Sequence, residues 1–203
     1  MIRLIAFDMD GTVLNDEKKI LKETKEALEQ AARAGIEIVP ATGRPFCGIS
    51  DEIYRLDGVR YVLTTNGAGI YERDSKTCLY EDAIPLSAYL PMLAEVEAYD
   101  AVWEVLKKYP DVNAVSGGMK NIEVTKKGVS KASGLLYLGK KLGIAPEEMM
   151  VFGDSGNDLD MIKMAGIGVA MANAEPEVLK AADFVTKSNN ENGVGGFLVS
   201  ADY

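Results

Sequence analysis

The first eleven residues restrict the fold of this chain more than any other segment. Residues 2–7 form a short apolar run with β-branched and aromatic members, which predicts a strand buried on both faces of a parallel sheet. Asp8 and Asp10 follow directly, and Gly11 lets the backbone turn tightly. Because the carboxyl ends of parallel strands form the ligand crevice of an open sheet, both carboxylates are expected there. Such a pair can bind a hard cation such as Mg²⁺, or one carboxylate can act as a nucleophile and the other as an acid. The alternative interpretation is that the two residues only form a solvated turn.

Length and charge limit the partners of the chain. Its 203 residues suffice for one domain, or for one domain with a small insert. The net charge of −9 argues against nucleic acid and against an anionic membrane surface, because both are themselves negative. A small phosphorylated metabolite remains a suitable partner if a cation or a local Lys/Arg pocket supplies positive charge.

The absence of histidine narrows the chemistry. It excludes Ser-His-Asp hydrolysis, Cys-His catalysis and His-ligated zinc, so any proton transfer falls to Asp, Glu, Lys, Tyr or Cys. Cys47 and Cys78 lie in no metal or redox motif. Since the sequence also has no signal-peptide pattern and no apolar stretch long enough to cross a bilayer, we expect a cytoplasmic protein with reduced thiols.

The order of the predicted elements is that of an α/β protein. A helix is predicted over 21–34, ending at Gly35, with a strand before it and a strand after it. Strand, helix, strand predicts a right-handed parallel unit, so we expect a doubly wound, mostly parallel, Rossmann-like sheet. The further predicted elements are strands at 36–39, 61–63, 149–152, 167–170 and 184–185, a hairpin at 70–80, and helices over 131–142 and 175–181.

Residues 84–125 differ from the rest of the chain because no polar residues mark the ends of their strands. Their predicted elements are helices over 86–99 and 102–109, extended pieces near 112 and over 122–124, and a turn at Gly117-Gly118. We predict that this stretch is a small α+β insert that serves as a lid. The core domain would then consist of residues 1–83 and 126–203.

Polar residues at three other places are candidates for binding. Thr42 and Gly43 follow the second strand, so the hydroxyl and adjacent amides could hold an oxyanion, although Thr42 could equally cap a helix. Lys131 falls in the first turn of a predicted helix, where it opposes the helix dipole; it is either functional or an exposed surface lysine. Asp154 follows a strand, and Asp158, four residues on, shares its face if a helix starts between them.

These motifs together resemble a known family. The segments Asp8–Thr12, Thr42–Arg44, Lys131 and Gly153–Asp158 are similar, in order and spacing, to the four motifs of the haloacid dehalogenase superfamily. The form of the last motif, with residues 168–174, resembles the Cof-type, sugar-phosphatase-like branch. The resemblance covers residues 1–83 and 126–194.

The resemblance implies a Mg²⁺-dependent phosphatase of small phosphorylated metabolites. Asp8 resembles the nucleophile that forms an aspartyl phosphate, and Asp10 the general acid that protonates the leaving alcohol and later activates water. The implied Mg²⁺ ligands are Asp8, Asp154 and the backbone carbonyl of Asp10, while Asp158 would position Lys131. The implied substrate-binding residues are Thr42, Gly43, Arg44, Lys131 and Asn157, of which Thr42 and Lys131 hold the phosphate and belong to the catalytic set.

Other functions stay open at this point. The insert is smaller than the cap of Cof-type proteins, which leaves substrate specificity undefined. A phosphomutase would need a cap that returns the intermediate to the site. A receiver-type phosphoacceptor or binding protein is disfavoured, because receivers carry the acceptor aspartate on a later strand than Asp8. If the insert leaves apolar surface exposed, a second copy could cover the site in a homo-oligomer.

Overall fold

The computed structural model describes residues 1–95, 102–116 and 122–200. The central sheet consists of five parallel strands, β1 (Leu4–Phe7), β2 (Glu37–Pro40), β8 (Met149–Gly153), β9 (Ile167–Ala170) and β10 (Phe184–Val185). Their order across the sheet is β10-β9-β8-β1-β2. β1 pairs with β2 on one side and β8 on the other, so the first strand of the chain lies inside the sheet and is buried, as its apolar run predicts.

Side chains of β1 alternate between two hydrophobic cores, one on each face of the sheet. Ile5 and Phe7 pack with helices α1 (Lys22–Arg33), α2 (Asp51–Tyr54) and α8 (Gly193–Ser200). Leu4 and Ala6 pack on the opposite face with α5 (Lys131–Leu142), α6 (Leu159–Met164) and α7 (Pro176–Ala181). Helices therefore cover both faces, which confirms the predicted doubly wound α/β fold.

Three antiparallel strands continue the sheet beyond β2. They are β3 (Tyr61–Thr64), β4 (Gly69–Glu72) and β5 (Cys78–Glu81), in that order. Isolated parallel bridges join Ile38 to Val59 and Ala41 to Leu63, so β3 runs beside β2 in the same direction. The predicted third strand and the hairpin after it are both present, and the carboxyl end of β3 reaches the same edge as those of β1 and β2.

The segment between β5 and α5, called the insert below, contains two helices and an antiparallel pair of strands. Its described elements are α3 (Leu86–Glu95), α4 (Val102–Leu106), β6 (Val112–Ser116) and β7 (Ile122–Lys126). α4 ends at Leu106, three residues earlier than the helix predicted over 102–109. The end of the helix predicted over 86–99 and the Gly117-Gly118 turn lie outside the described residues. The Lys126 ammonium, 2.7 Å from the Asp82 carboxylate, joins the two segments that connect the insert to the core.

The last helix, α8, is absent from the sequence prediction. Its sequence contains three glycines, which disfavour a helix in isolation. α8 packs against α1, and a Cβ at Gly195 would lie 2.7 Å from the Thr24 Cα, so the close approach of the two helices requires glycine there. Among the described residues, no helix has the length and apolar character needed to cross a membrane.

Candidate active site

The carboxyl end of β1 meets the start of α5 in a buried ion pair. The Asp8 backbone N–H donates to the carbonyl of Phe152, which fixes Asp8 at the end of the strand. Lys131 is 0% exposed, and its ammonium lies 2.5 Å from the Asp8 carboxylate and 2.7 Å from that of Asp158. Ser130 caps α5, and its side chain accepts the Ser133 backbone N–H. Because Lys131 faces two carboxylates, its unfavourable place in the first helical turn is accounted for.

Three carboxylates, those of Asp8, Asp154 and Asp158, lie together, with one oxygen from each within 4.8 Å of the others. Asp158 uses one oxygen for Lys131 and the other to accept the backbone N–H groups of Asp154 and Ser155, at 2.9 and 3.1 Å. It therefore holds the lysine and the turn after β8. Asp154 accepts the Thr12 hydroxyl at 2.7 Å. Asp8 and Asp154 are thus the pair best placed to bind a cation, and their oxygen donors suit a hard divalent ion.

The electrostatics of the cluster also fit a divalent cation. Burial, helped by the nearby Asp158 carboxylate and opposed by Lys131, raises the pKa of Asp8 to about 8 and that of Asp154 to about 7. Burial lowers the pKa of Lys131, but Asp158 and Asp8 outweigh it, so the pKa of the lysine is raised and the ammonium stays charged. One buried lysine among three carboxylates leaves negative charge that a bound cation would neutralise.

Asp10 points to a different set of partners. Arg44 binds both of its carboxylate oxygens, from Nε and Nη2, each at 2.7 Å, and the Lys18 ammonium lies at 2.9 Å. Partial burial raises the pKa of Asp10, but the hydrogen bonds and charges of Arg44 and Lys18 bring the pKa below its ordinary value. Asp10 is therefore ionised in this structure. Arg44, for which the resemblance implies a substrate-binding role, binds Asp10 in this structure, and its third nitrogen donates to the Gly48 carbonyl at 3.1 Å.

Thr42 and Gly43 lie at the end of β2, beside the end of β3. Thr42 is buried, and its hydroxyl oxygen accepts the Arg44 backbone N–H at 3.1 Å, which leaves the hydroxyl proton able to donate. The backbone N–H of Thr42 donates to Leu63 at 2.9 Å. The turn that carries Thr42, Gly43 and Arg44 is thus fixed by one hydrogen bond within it and by one to β3.

Asn157 binds a partner that comes from the insert. Its side-chain amide donates to the Glu123 carboxylate at 2.7 Å, and the amide of Asn66 donates to the same oxygen at 2.6 Å. Asn157 also accepts the Ser155 hydroxyl at 2.8 Å. Asn157 thus joins the turn after β8 to β7 of the insert.

Comparisons with known proteins identify the family of this chain. The model of a family described as haloacid dehalogenase-like hydrolase matches residues 5–107 and 86–198. The chain belongs to this family. A phosphatase of Bacillus subtilis, YcsE, named for 5-amino-6-(5-phospho-D-ribitylamino)uracil, is 32% identical over 233 residues, covering 95% of this chain and 93% of the relative. A phosphoglycolate phosphatase of Methanothermobacter thermautotrophicus is 30% identical over 214 residues, covering 95% and 96%.

Solved structures of haloacid dehalogenase-like hydrolases share the fold of this chain. The subclass IIB sugar phosphatase BT4131 matches with a TM-score of 0.86 at 28% identity, over 97% of this chain and 98% of that one. This haloacid dehalogenase-like hydrolase is therefore a phosphatase of the Cof-type branch, and the receiver-type alternative is set aside. The alignment with YcsE spans 233 positions against the 203 residues of this chain, so YcsE has residues that this hydrolase lacks.

Three contacts of this hydrolase were not identified from the sequence. Thr12 belongs to the first motif, and its bond to Asp154 could have been inferred from a hydroxyl beside an acidic strand end. Lys18 lies in a polar loop that gives no signal. Glu123 lies in the insert, where no strand-end pattern marks it. The predicted catalytic, metal-binding and substrate-binding roles of the motif residues are taken up next.

Proposed function

We propose that this hydrolase is a Mg²⁺-dependent phosphatase that cleaves phosphate monoesters of small metabolites through an aspartyl phosphate on Asp8. The observation that carries the proposal is the buried contact of Asp8 with Lys131, with Asp154 beside it. A carboxylate nucleophile must approach an anionic phosphate, so positive charge has to be held at that place. The relatives' names indicate phosphate esters with different leaving groups, which supports a small phosphorylated metabolite as substrate.

Two displacements at phosphorus complete the reaction. In the first, an Asp8 oxygen forms a bond to phosphorus, the bond to the leaving oxygen breaks, and Asp10 gives that oxygen its proton. In the second, Asp10 takes a proton from water, the water oxygen bonds to phosphorus, and the bond to Asp8 breaks to release inorganic phosphate. Thr42 and Lys131 hold the phosphate oxygens, with Asn157 and the backbone of Gly43 beside them.

The cation would be held by Asp8 and Asp154, with the backbone carbonyl of Asp10. When bound, Mg²⁺ neutralises charge on the phosphate and on the carboxylates around it. Asp158 positions Lys131 through the 2.7 Å contact and keeps the ammonium directed at Asp8. Before Asp10 can serve as an acid, its carboxylate must either separate from Arg44 or take up a proton while it is bound to Arg44.

Removal of the cation is expected to stop turnover. Hydrolysis of para-nitrophenyl phosphate should require Mg²⁺, fall by about two orders of magnitude or more in excess EDTA, and return when Mg²⁺ is added back. The measurement is release of para-nitrophenol at fixed pH. Unchanged turnover in EDTA would contradict the metal dependence, and no turnover in Mg²⁺ would contradict the phosphatase itself.

Arg44 is expected to set the alkaline limit of activity. The acid form of Asp10 is lost as the pH rises through its pKa, and Arg44 keeps that pKa low. Arg44→Met should raise the pKa and move the alkaline limb of kcat/KM to higher pH. Lys18→Met should move it less, because Lys18 makes one bond to Asp10 and Arg44 makes two. An alkaline limb that stays in place in Arg44→Met would show that Asp10 does not control it.

A further inference from the structure

A carboxylate of the insert reaches the core at the edge of the candidate active site. Glu123 lies on β7, yet one of its oxygens accepts the side-chain amides of Asn66 and Asn157, at 2.6 and 2.7 Å. Asn66 follows β3 and is buried, with left-handed backbone at φ 51°, and Asn157 is buried in the turn after β8. Both donors are thus held in place by the core, and they fix where the Glu123 carboxylate lies.

Glu123 also lies directly over Gly43. A side-chain carbon at position 43 would overlap the Glu123 carboxylate, and Oε1 is the atom it would meet first. Gly43 stands between Thr42 and Arg44, the residues proposed to hold the phosphate and Asp10. Glu123 therefore adjoins the phosphate-binding turn on the side of the insert, whereas Asp8 and Lys131 lie buried in the core.

A cavity of about 210 Å³ with mixed polar and apolar lining adjoins the same two amides. Residues of both the insert and the core line it, and its polar members are Asn66, Asn113, Thr125, Ser130, Asn157 and Asp160. Pockets for drug-sized ligands are larger, at about 300–1,000 Å³. Neither Glu123 nor the turn at Thr42 and Gly43 lines this cavity, so the assignment below rests on the position of Glu123 over Gly43 and not on the cavity.

We propose that Glu123 contacts the leaving group of the substrate and selects esters that carry hydroxyl or amino donors over esters that carry a carboxylate. This assignment rests on the proposed phosphatase activity and names the substrate class of that site. An ionised carboxylate only accepts hydrogen bonds, so it binds O–H and N–H groups. It repels a second carboxylate brought close to it, and such repulsion is a common means of excluding a wrong ligand.

Two substrates of matched size test the proposal. 2-Hydroxyethyl phosphate carries a hydroxymethyl group where 2-phosphoglycolate carries a carboxylate. The native protein should hydrolyse the hydroxyl ester with the higher kcat/KM. In Glu123→Gln the ratio of the two kcat/KM values should fall by about tenfold or more, the range expected for a hydrogen bond to a charged group. Glu123→Asp keeps the charge and should keep the preference for the hydroxyl ester.

Glu104→Gln supplies the matched control, because Glu104 lies on α4 of the insert and pairs with Lys107 in solvent. Its substrate ratio should equal that of the native protein. The assignment of Glu123 is overturned if the native protein prefers 2-phosphoglycolate, if Glu123→Gln leaves the ratio unchanged, or if Glu123→Asp loses the preference as fully as Glu123→Gln. Para-nitrophenyl phosphate separates the two proposals: Mg²⁺-dependent turnover with an unchanged ratio overturns only the role of Glu123, whereas no turnover overturns the phosphatase and this assignment with it.

Discussion

Asp8→Asn is expected to lower turnover of every phosphate ester by about four orders of magnitude or more, the scale seen when a nucleophile is removed. An asparagine amide cannot form the proposed covalent intermediate. The variant should still fold, because asparagine has nearly the same shape, its oxygen still accepts from Lys131, and burial already disfavours the ionised form of Asp8. The loss would therefore belong to the chemistry and not to stability.

The covalent intermediate gives a second readout for the same variant. Native protein mixed with a radiolabelled phosphate ester and quenched in acid should retain label that hydroxylamine removes, and Asp8→Asn should retain none. Asp16→Asn is the control, since Asp16 is exposed and bonds to the side chains of Asn189 and Asn190. Asp8→Asn with near-native turnover would mean that water attacks phosphorus directly, and the proposed role of Asp8 would be wrong.

The sequence predicts those parts of the site that depend on local order along the chain. Asp8 lies at the end of a strand because an apolar run stops there, and Asp154 follows β8 for the same reason. Lys131 was marked by its unfavourable position at a helix start, and the structure places two carboxylates against it. In each case one short segment contains both the pattern that predicts the secondary structure and the charged residue that departs from that pattern.

Contacts between distant segments could not be predicted in this way. Arg44 and Asp10 are 34 residues apart, and nothing near either residue indicates the bond between them. Glu123 lies on a strand whose pattern does not say which face meets the core, since this depends on how the insert packs. α8 was missed because its glycines disfavour a helix, and only packing against α1 explains them. Tertiary contacts decide all three.

Lys131→Met is expected to lower the free energy of unfolding by about 3–5 kcal/mol, because it leaves buried carboxylates without their cation. For a protein of this size the melting temperature should fall by roughly 10 °C. The ammonium is fully buried and touches both Asp8 and Asp158, and a methionine side chain has no donor to replace these hydrogen bonds. Since the raised pKa of Lys131 keeps the ammonium charged at pH 7.5, its hydrogen bonds to Asp8 and Asp158 are present at that pH, although the pKa of Asp8, about 8, keeps part of that carboxyl protonated.

Lys126→Met is the matched control, and both variants should be unfolded by urea in EDTA so that no cation compensates for the lost lysine. Lys126 also lies 2.7 Å from a carboxylate, that of Asp82, but its side chain is 44% exposed. Water and salt screen such a pair, so its loss should change stability little. If the two variants lost the same free energy of unfolding, the buried contacts of Lys131 with Asp8 and Asp158 would contribute no more to stability than the exposed Lys126–Asp82 pair. The expected result is a large loss of stability in Lys131→Met alone, which added Mg²⁺ partly reverses. It would show that the lysine and the cation neutralise the same carboxylates. The residues that stabilise the core would then also hold the charge needed for phosphoryl transfer.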